Sequence, residues 1–201
     1  MTSTASGQNA RSTLPVVLVH GIWNRAEIFT ALKTYLEMNG HTVYALSMTP
    51  NNGDAQLERL ADQVAAFIDS VLPQQRFNLV GFSMGGLVSR YYVQHLGGLA
   101  RVEKFVTIST PHLGTLLALG SSRPGVRQMR PDSNFIKALN RHKDCLKAVE
   151  FYSFWTPFDL LILPPWSSLL GIGRAQRLLI PSHNRMIRDQ TGLAAIATAL
   201  A

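Results

Sequence analysis

Residues 79–86 read Leu-Val-Gly-Phe-Ser-Met-Gly-Gly. The pattern is G-x-S-x-G around Ser83, set directly after an apolar run and before a stretch with helical spacing. Glycines at both second neighbours let a strand pass into a helix through a turn too tight for side chains. Such a turn lifts the serine hydroxyl clear of the sheet. It also sets the hydroxyl at a helix N-terminus, where backbone N–H groups favour developing negative charge. Composition alone produces the pattern in roughly one sequence in ten, so the strand-then-helix context is what makes it specific.

Working outward from this turn, strands are predicted at 15–19, 41–46, 76–80, 102–109, 149–154 and 177–180. Helices are predicted at 27–38, from an Asp54 cap to about Leu72, at 83–96, at 132–142 and over much of 184–200. Leu57, Leu60, Ala61, Val64, Phe67, Ile68 and Val71 recur at helical spacing. Gly40, Gly53, Pro73 and Gly97-Gly98 punctuate the elements. Regular alternation of strand and helix implies crossover connections, hence a parallel sheet covered by helices on both faces.

A serine hydroxyl is a weak nucleophile at neutral pH. It needs an imidazole to take its proton and a carboxylate to orient that imidazole. In a parallel sheet the functional groups gather at the carboxyl ends of strands, and after such a turn the chain order is serine, acid, histidine. Between Phe151 and Gln176 the only acidic residue is Asp159, and beyond the sixth strand the only histidine is His183. His20, His41, His95 and His112 follow or lie on the wrong elements. Asp132, Asp144 and Glu150 precede or begin the fifth strand, at the wrong end of the sheet. Two backbone donors complete the set. The N–H of Met84 follows the nucleophile, and that of Ile22 lies in the His20-Gly-Ile-Trp23 loop after the first strand. Each donor to a tetrahedral oxygen is worth about 3–4 kcal/mol of barrier.

Three segments carry a resemblance: Val19-His-Gly-Ile22, Gly-Phe-Ser-Met-Gly-Gly at 81–86, and Ile-Ser-Thr-Pro-His-Leu-Gly-Thr at 108–115. Together they resemble the α/β-hydrolase superfamily, and more closely the small, lidless lipases typified by Bacillus lipase A and their cyanobacterial relatives. The likeness implies a minimal α/β-hydrolase fold, a six-stranded mostly parallel sheet with helices on both faces. It implies a triad of Ser83, Asp159 and His183 and an oxyanion hole at Ile22 and Met84. It also implies ester hydrolysis through an acyl-serine, with no cofactor and no metal. Such lipases often carry a second histidine where this chain has Leu113, a position read as substrate-side. Trp23 is assigned to the substrate as well.

The chain has 201 residues, 46% apolar and 15% charged, which fits one folded domain over 14–201 after a loose tail at 1–13 and excludes global disorder. About forty residues separate the fourth and fifth strands, so an open or partly covered site is expected. The run from Phe154 to Trp166 is unusually apolar; with Trp23, Met84 and Leu113 it reads as partly core and partly a greasy rim suited to acyl lipids or other apolar esters. The net charge is +7. Arg123, Arg127, Arg130, Lys137, Arg141, Lys143 and Lys147 cluster, either as a solvated helix face or as a surface for anionic membrane. No basic–aromatic module supports nucleic acid. Cys145 is the lone cysteine, so no internal disulfide forms. With no signal-peptide core and no transmembrane helix, a cytoplasmic location is expected. The oligomeric state is left open. So is the acceptor: an acyltransferase or thioesterase uses the same triad, and a non-catalytic binding protein is the reading from another class.

Overall fold

The computed structural model describes residues 13–201. The tail expected at 1–13 lies outside them except for Thr13, whose Oγ1 donates to the Gly40 carbonyl at 2.7 Å. Six strands form one sheet: β1 (Val16–Val19), β2 (Val43–Leu46), β3 (Phe77–Phe82), β4 (Val102–Ile108), β5 (Glu150–Trp155) and β6 (Arg174–Arg177). Their order is β2-β1-β3-β4-β5-β6. The expectation was a mostly parallel sheet; every pairing is parallel.

Alternation along the strands builds two cores. Val16, Leu18, Val80, Phe82, Val106 and Ile108 point to one face, where α1 (Thr30–Met38) and α6 (Gln190–Leu200) cover them. Val17, Val19, Phe77, Leu79 and Phe105 point to the other, beneath α2 (Leu57–Val71) and α3 (Met84–His95). A strand buried on both faces has to be apolar throughout, and β1 is Val-Val-Leu-Val, wholly buried. On α2 the residues Leu57, Leu60, Val64 and Ile68 are fully buried, each contributing about 1.5–3 kcal/mol.

Four expectations are corrected. The helix after Asp54 begins at Leu57, with Gln56 as its extended N-terminal neighbour; Asp54 instead accepts from Asn52 and pairs with Arg123. The region from β4 to β5 holds α4 (Pro124–Gln128) and α5 (Asn134–Arg141) plus 3₁₀ turns rather than a single helix. Asp132 has φ +62° and stays outside α5, which Ser133 caps by accepting from Ile136 N–H. The last strand is Arg174–Arg177, not 177–180. All four of its residues are exposed, as suits a charged edge strand that resists further pairing. Leu178 N–H still bonds the Trp155 carbonyl at 2.8 Å, but Leu178 and Ile180 pack into the core beside α6. The apolar run thus marks packing, not pairing. Among the described residues no helix is long and apolar enough to cross a membrane.

Candidate active site

β3 runs straight into α3 through Ser83, which takes φ 56°, ψ −126°, a region costly for a residue with a Cβ. The flanking glycines are needed sterically. A Cβ on Gly81 would lie 2.5 Å from Gly86 Cα, and one on Gly85 would collide with the carbonyl oxygens of Val19 and His20. A third glycine, which the motif does not demand, is equally constrained: a Cβ on Gly86 would strike the Thr110 side chain. The turn is held by Ser83 N–H to the Ile108 carbonyl (2.9 Å) and Gly86 N–H to the Ser83 carbonyl (3.0 Å).

Asp159 and His183, far apart in sequence, meet at the carboxyl edge of the sheet. His183 Nδ1 lies 2.7 Å from Asp159 Oδ2, with both side chains buried. The other carboxylate oxygen accepts from Leu161 N–H (2.9 Å) and Ile162 N–H (3.0 Å). Burial by itself would raise the Asp159 carboxyl. The hydrogen bond and charge of His183 and the Ile162 amide outweigh it and hold the group below its ordinary value. The Ser109 hydroxyl, beside the carboxylate though outside bonding geometry, adds to this. The carboxylate therefore fixes the tautomer, with a proton on Nδ1 and Nε2 left as the acceptor. The imidazole lies against Phe82, the residue before the serine, with ring centroids 4.8 Å apart. Ser83 and His183 line the same cavity, of about 480 Å³.

The loop after β1 lies against the serine: a Cβ on Gly21 would come within 2.9 Å of Ser83 Cβ. His20 is fully buried and bonded at both ring nitrogens. Nε2 accepts from Met48 N–H (2.9 Å), which leaves Nδ1 to donate to the Gly21 carbonyl (2.8 Å). Burial lowers its pKa, consistent with this neutral form. Gly21 C=O and Ile22 N–H belong to one peptide plane, so His20 fixes where the Ile22 N–H points. Trp23 N–H is already donated to Asn51, and Asn51 Nδ2 to the Asn24 carbonyl. The loop signal at 49–53 thus braces the 21–24 loop. Among the described residues neither Ile22 N–H nor Met84 N–H has a protein acceptor.

The segment 110–115 is a clamp whose parts sequence reasoning did not resolve. Thr110 packs on Gly86. Thr115 Oγ1 donates to the Leu161 carbonyl (3.0 Å) and accepts from Leu163 N–H (2.9 Å), tying this loop to the one that carries Asp159. Thr156 in turn donates to the Ile180 carbonyl (2.6 Å), tying the acid loop to the histidine loop. His112 is fully buried, with Nε2 3.0 Å from Thr107 Oγ1 and Nδ1 3.4 Å from Arg90 Nη1. Burial, reinforced by Arg90, drives its pKa well down. Arg90 is itself wholly buried on α3 and donates to Gln94 (3.1 Å) and Asn140 (3.0 Å). Burial lowers its guanidinium to about 9, so it remains a cation at neutral pH.

Ile22 and Trp23 line the cavity with Leu117, Val126, Met129 and Ile162. Met84, expected to add its side chain to the rim, buries it completely in the core with α2 and α3 and is not among the residues that line the cavity. Leu113 is about half-exposed but outside the cavity lining. The basic segment is not one solvated face: Arg123 pairs with Asp54, Arg130 donates to the carbonyls of Ala118 and Ser121, and Lys143 donates to that of Leu170. Among the described residues no group of three or more His, Cys, Asp or Glu is placed to hold a metal ion.

An all-parallel sheet with a serine on a glycine-flanked turn at its centre is the α/β-hydrolase fold. Within it, the chain belongs to the palmitoyl protein thioesterase family, whose match spans residues 15–158. That span includes Ser83 and the 20–23 loop and stops one residue before Asp159. Palmitoyl-protein thioesterase 3 of Dictyostelium discoideum is 33% identical over 112 residues, covering 51% of this chain and 37% of that protein. A triacylglycerol lipase of Burkholderia plantarii is 30% identical over 125 residues, covering 58% and 34%. The chain thus spans about a third of the length of these curated relatives. Among solved structures, the mature form of a Bacillus licheniformis lipase superposes with TM-score 0.76 at 16% identity, covering 95% of this chain and 93% of that one. Aspergillus fumigatus lipase B gives 0.79 at 20% identity, covering 94% and 52%. At these identities the structures speak for the fold alone.

Proposed function

We propose that this chain hydrolyses carboxylic esters of apolar acyl groups, acyl lipids among them, through an acyl-enzyme on Ser83. The observation that carries the reading is the 2.7 Å bond between buried His183 and Asp159, with His183 lining the same cavity as Ser83. In this mechanism His183 Nε2 takes the hydroxyl proton as Ser83 Oγ attacks the ester carbonyl. The N–H groups of Ile22 and Met84 hold the resulting oxyanion. The imidazolium, stabilised by Asp159, returns the proton to the leaving alkoxide. Water activated by the same imidazole then releases the acid and restores Ser83. The apolar lining from Ile22, Leu117, Val126 and Met129 receives the acyl chain.

A second reading, thioester hydrolysis, draws support from the family match. It uses the same residues and differs only in a thiolate leaving group, which needs less protonation to depart. The test is hydrolysis of p-nitrophenyl esters from acetyl to palmitoyl beside a matched acyl thioester, with Ser83→Ala as control. Hydrolysis lost in Ser83→Ala supports the mechanism; hydrolysis that survives the substitution overturns it. The ratio of ester to thioester turnover decides between the two readings.

A further inference from the structure

We propose that Ser109 is a positioning residue, whose hydroxyl donates to the Asp159 carboxylate as His183 takes up the proton of Ser83. This role rests on the hydrolase reading for the reaction it serves. Ser109 follows the last residue of β4 and takes φ 46°, in the left-handed region that favours glycine. It is wholly buried, and its hydroxyl has no hydrogen-bond partner among the described residues. Each of these features costs stability, and backbone strain of this kind collects at functional sites. The other non-glycine residues with positive φ among those described are Trp23, Gln74, Ser83 and Asp132. None of them is as fully buried as Ser109.

The surroundings account for the strain. The peptide between Ile108 and Ser109 accepts from Ser83 N–H at its carbonyl (2.9 Å) and donates through Ser109 N–H to the Phe154 carbonyl on β5 (2.8 Å). One peptide thus ties the turn of the nucleophile to the strand that leads to Asp159. The next residue, Thr110, packs on Gly86, so the chain bends sharply at 109. Glycine would make that bend without strain. Serine makes it at a cost and sets an unbonded hydroxyl beside the carboxylate. The carboxylate can accept about four hydrogen bonds. Leu161 N–H, Ile162 N–H and His183 Nδ1 supply three, which leaves a place for a further donor. His183 is the one charged or titratable side chain that acts on Asp159 among the described residues. Rotation about χ1 redirects the serine hydroxyl while its backbone stays fixed, and catalytic hydrogen bonds often tighten only as charge develops. A donor to a carboxylate lowers its proton affinity. The proton on Nδ1 therefore stays on the imidazole while Nε2 carries the proton from Ser83, and Asp159 remains the anion that the imidazolium needs.

The test compares the full chain with Ser109→Ala, which removes only the hydroxyl, and Ser109→Gly, which also relieves the backbone. With p-nitrophenyl butyrate, both are expected to lower kcat about tenfold with KM nearly unchanged. The thermal midpoint of Ser109→Ala is expected not to fall. Asp159 loses a donor that lowers its carboxyl, so the acid limb of kcat/KM is expected to move to higher pH. The titration of the Asp159 carboxyl carbon, followed by NMR, is expected to move the same way and needs no turnover. An unchanged kcat in both variants overturns the proposal. So does a loss of kcat matched by a fall in thermal midpoint, or a carboxyl titration that stays in place. Turnover that needs Ser83 and Asp159 but is indifferent to Ser109 refutes the role of Ser109 and leaves the hydrolase reading standing. A carboxyl titration that moves up in Ser109→Ala, in a protein without ester or thioester turnover, refutes the hydrolase reading and keeps the bond between Ser109 and Asp159.

Discussion

His183 Nδ1 sits 2.7 Å from Asp159 Oδ2, and the carboxylate's second oxygen is held by the amides of Leu161 and Ile162. The imidazole is thus oriented by a group that is itself immobilised. Replacing Asp159 by Asn keeps an oxygen for the two amides but turns an N–H₂ toward Nδ1. The imidazole then places its proton on Nε2, where it cannot act as a base. Asp159→Asn is expected to lower kcat by about 10⁴-fold with little change in thermal midpoint. Steady-state kinetics beside a melting curve checks both halves; near-normal kcat would remove Asp159 from the mechanism.

His20 is expected to act on the rate without touching substrate. Its Nδ1–H holds the Gly21 carbonyl and so aims the Ile22 N–H. His20→Phe preserves the ring and removes both bonds. It should lower kcat about 10–100-fold with KM nearly unchanged, because misplacing one donor affects charge that develops only in the transition state. A change confined to KM would place the loop in ground-state binding instead.

His112 predicts an acid limb in stability. Its pKa is lowered in the fold from an ordinary 6.5 by burial and by Arg90. The unfolded chain therefore takes the proton first. His112 contributes its full stability above about pH 6.5 and loses it as pH falls from there through the folded value. His112→Gln can still bond Arg90 and Thr107 but does not titrate. Urea midpoints at about pH 7.5 and about pH 5.5 should differ less for His112→Gln than for the parent. An unchanged difference would place the acid sensitivity elsewhere.

The elbow glycines should differ in how they can be rescued. A Cβ on Gly85 meets the Val19 and His20 carbonyls, whereas a Cβ on Gly86 meets the Thr110 side chain. Either alanine is expected to cost about 3 kcal/mol of stability. Adding Thr110→Ala should recover part of the Gly86→Ala loss and none of the Gly85→Ala loss, as read by chemical denaturation. Equal recovery in both would show that the clash is not with Thr110.

Much of the molecule is determined by local sequence. The strand-then-helix passage at 79–86 is stated by its own residues, because a turn at Ser83 leaves no room for side chains at 81 and 85. Strand and helix order follows from residue periodicity, since period two and period 3.6 are properties of neighbouring residues. That Asp159 and His183 meet was legible because chain order and the direction of a parallel sheet leave one acid and one histidine at the same edge.

What the sequence did not determine depends on contacts between distant segments. The Leu178–Ile180 run has strand composition, yet β6 is the charged Arg174–Arg177, because α6 offers the Leu178 and Ile180 side chains a core to enter while Leu179 stays exposed. Met84 has the composition of a rim residue but is turned inward by the first turn of α3. The role of His20 depends on Met48, that of Thr115 on Leu161 and Leu163, and that of His112 on Arg90 and Thr107. A hydrogen bond needs two groups within about 3 Å, and separation along the chain does not reveal which groups will meet. Local sequence therefore decided which residues were available for chemistry, and packing decided which of them were aimed and held.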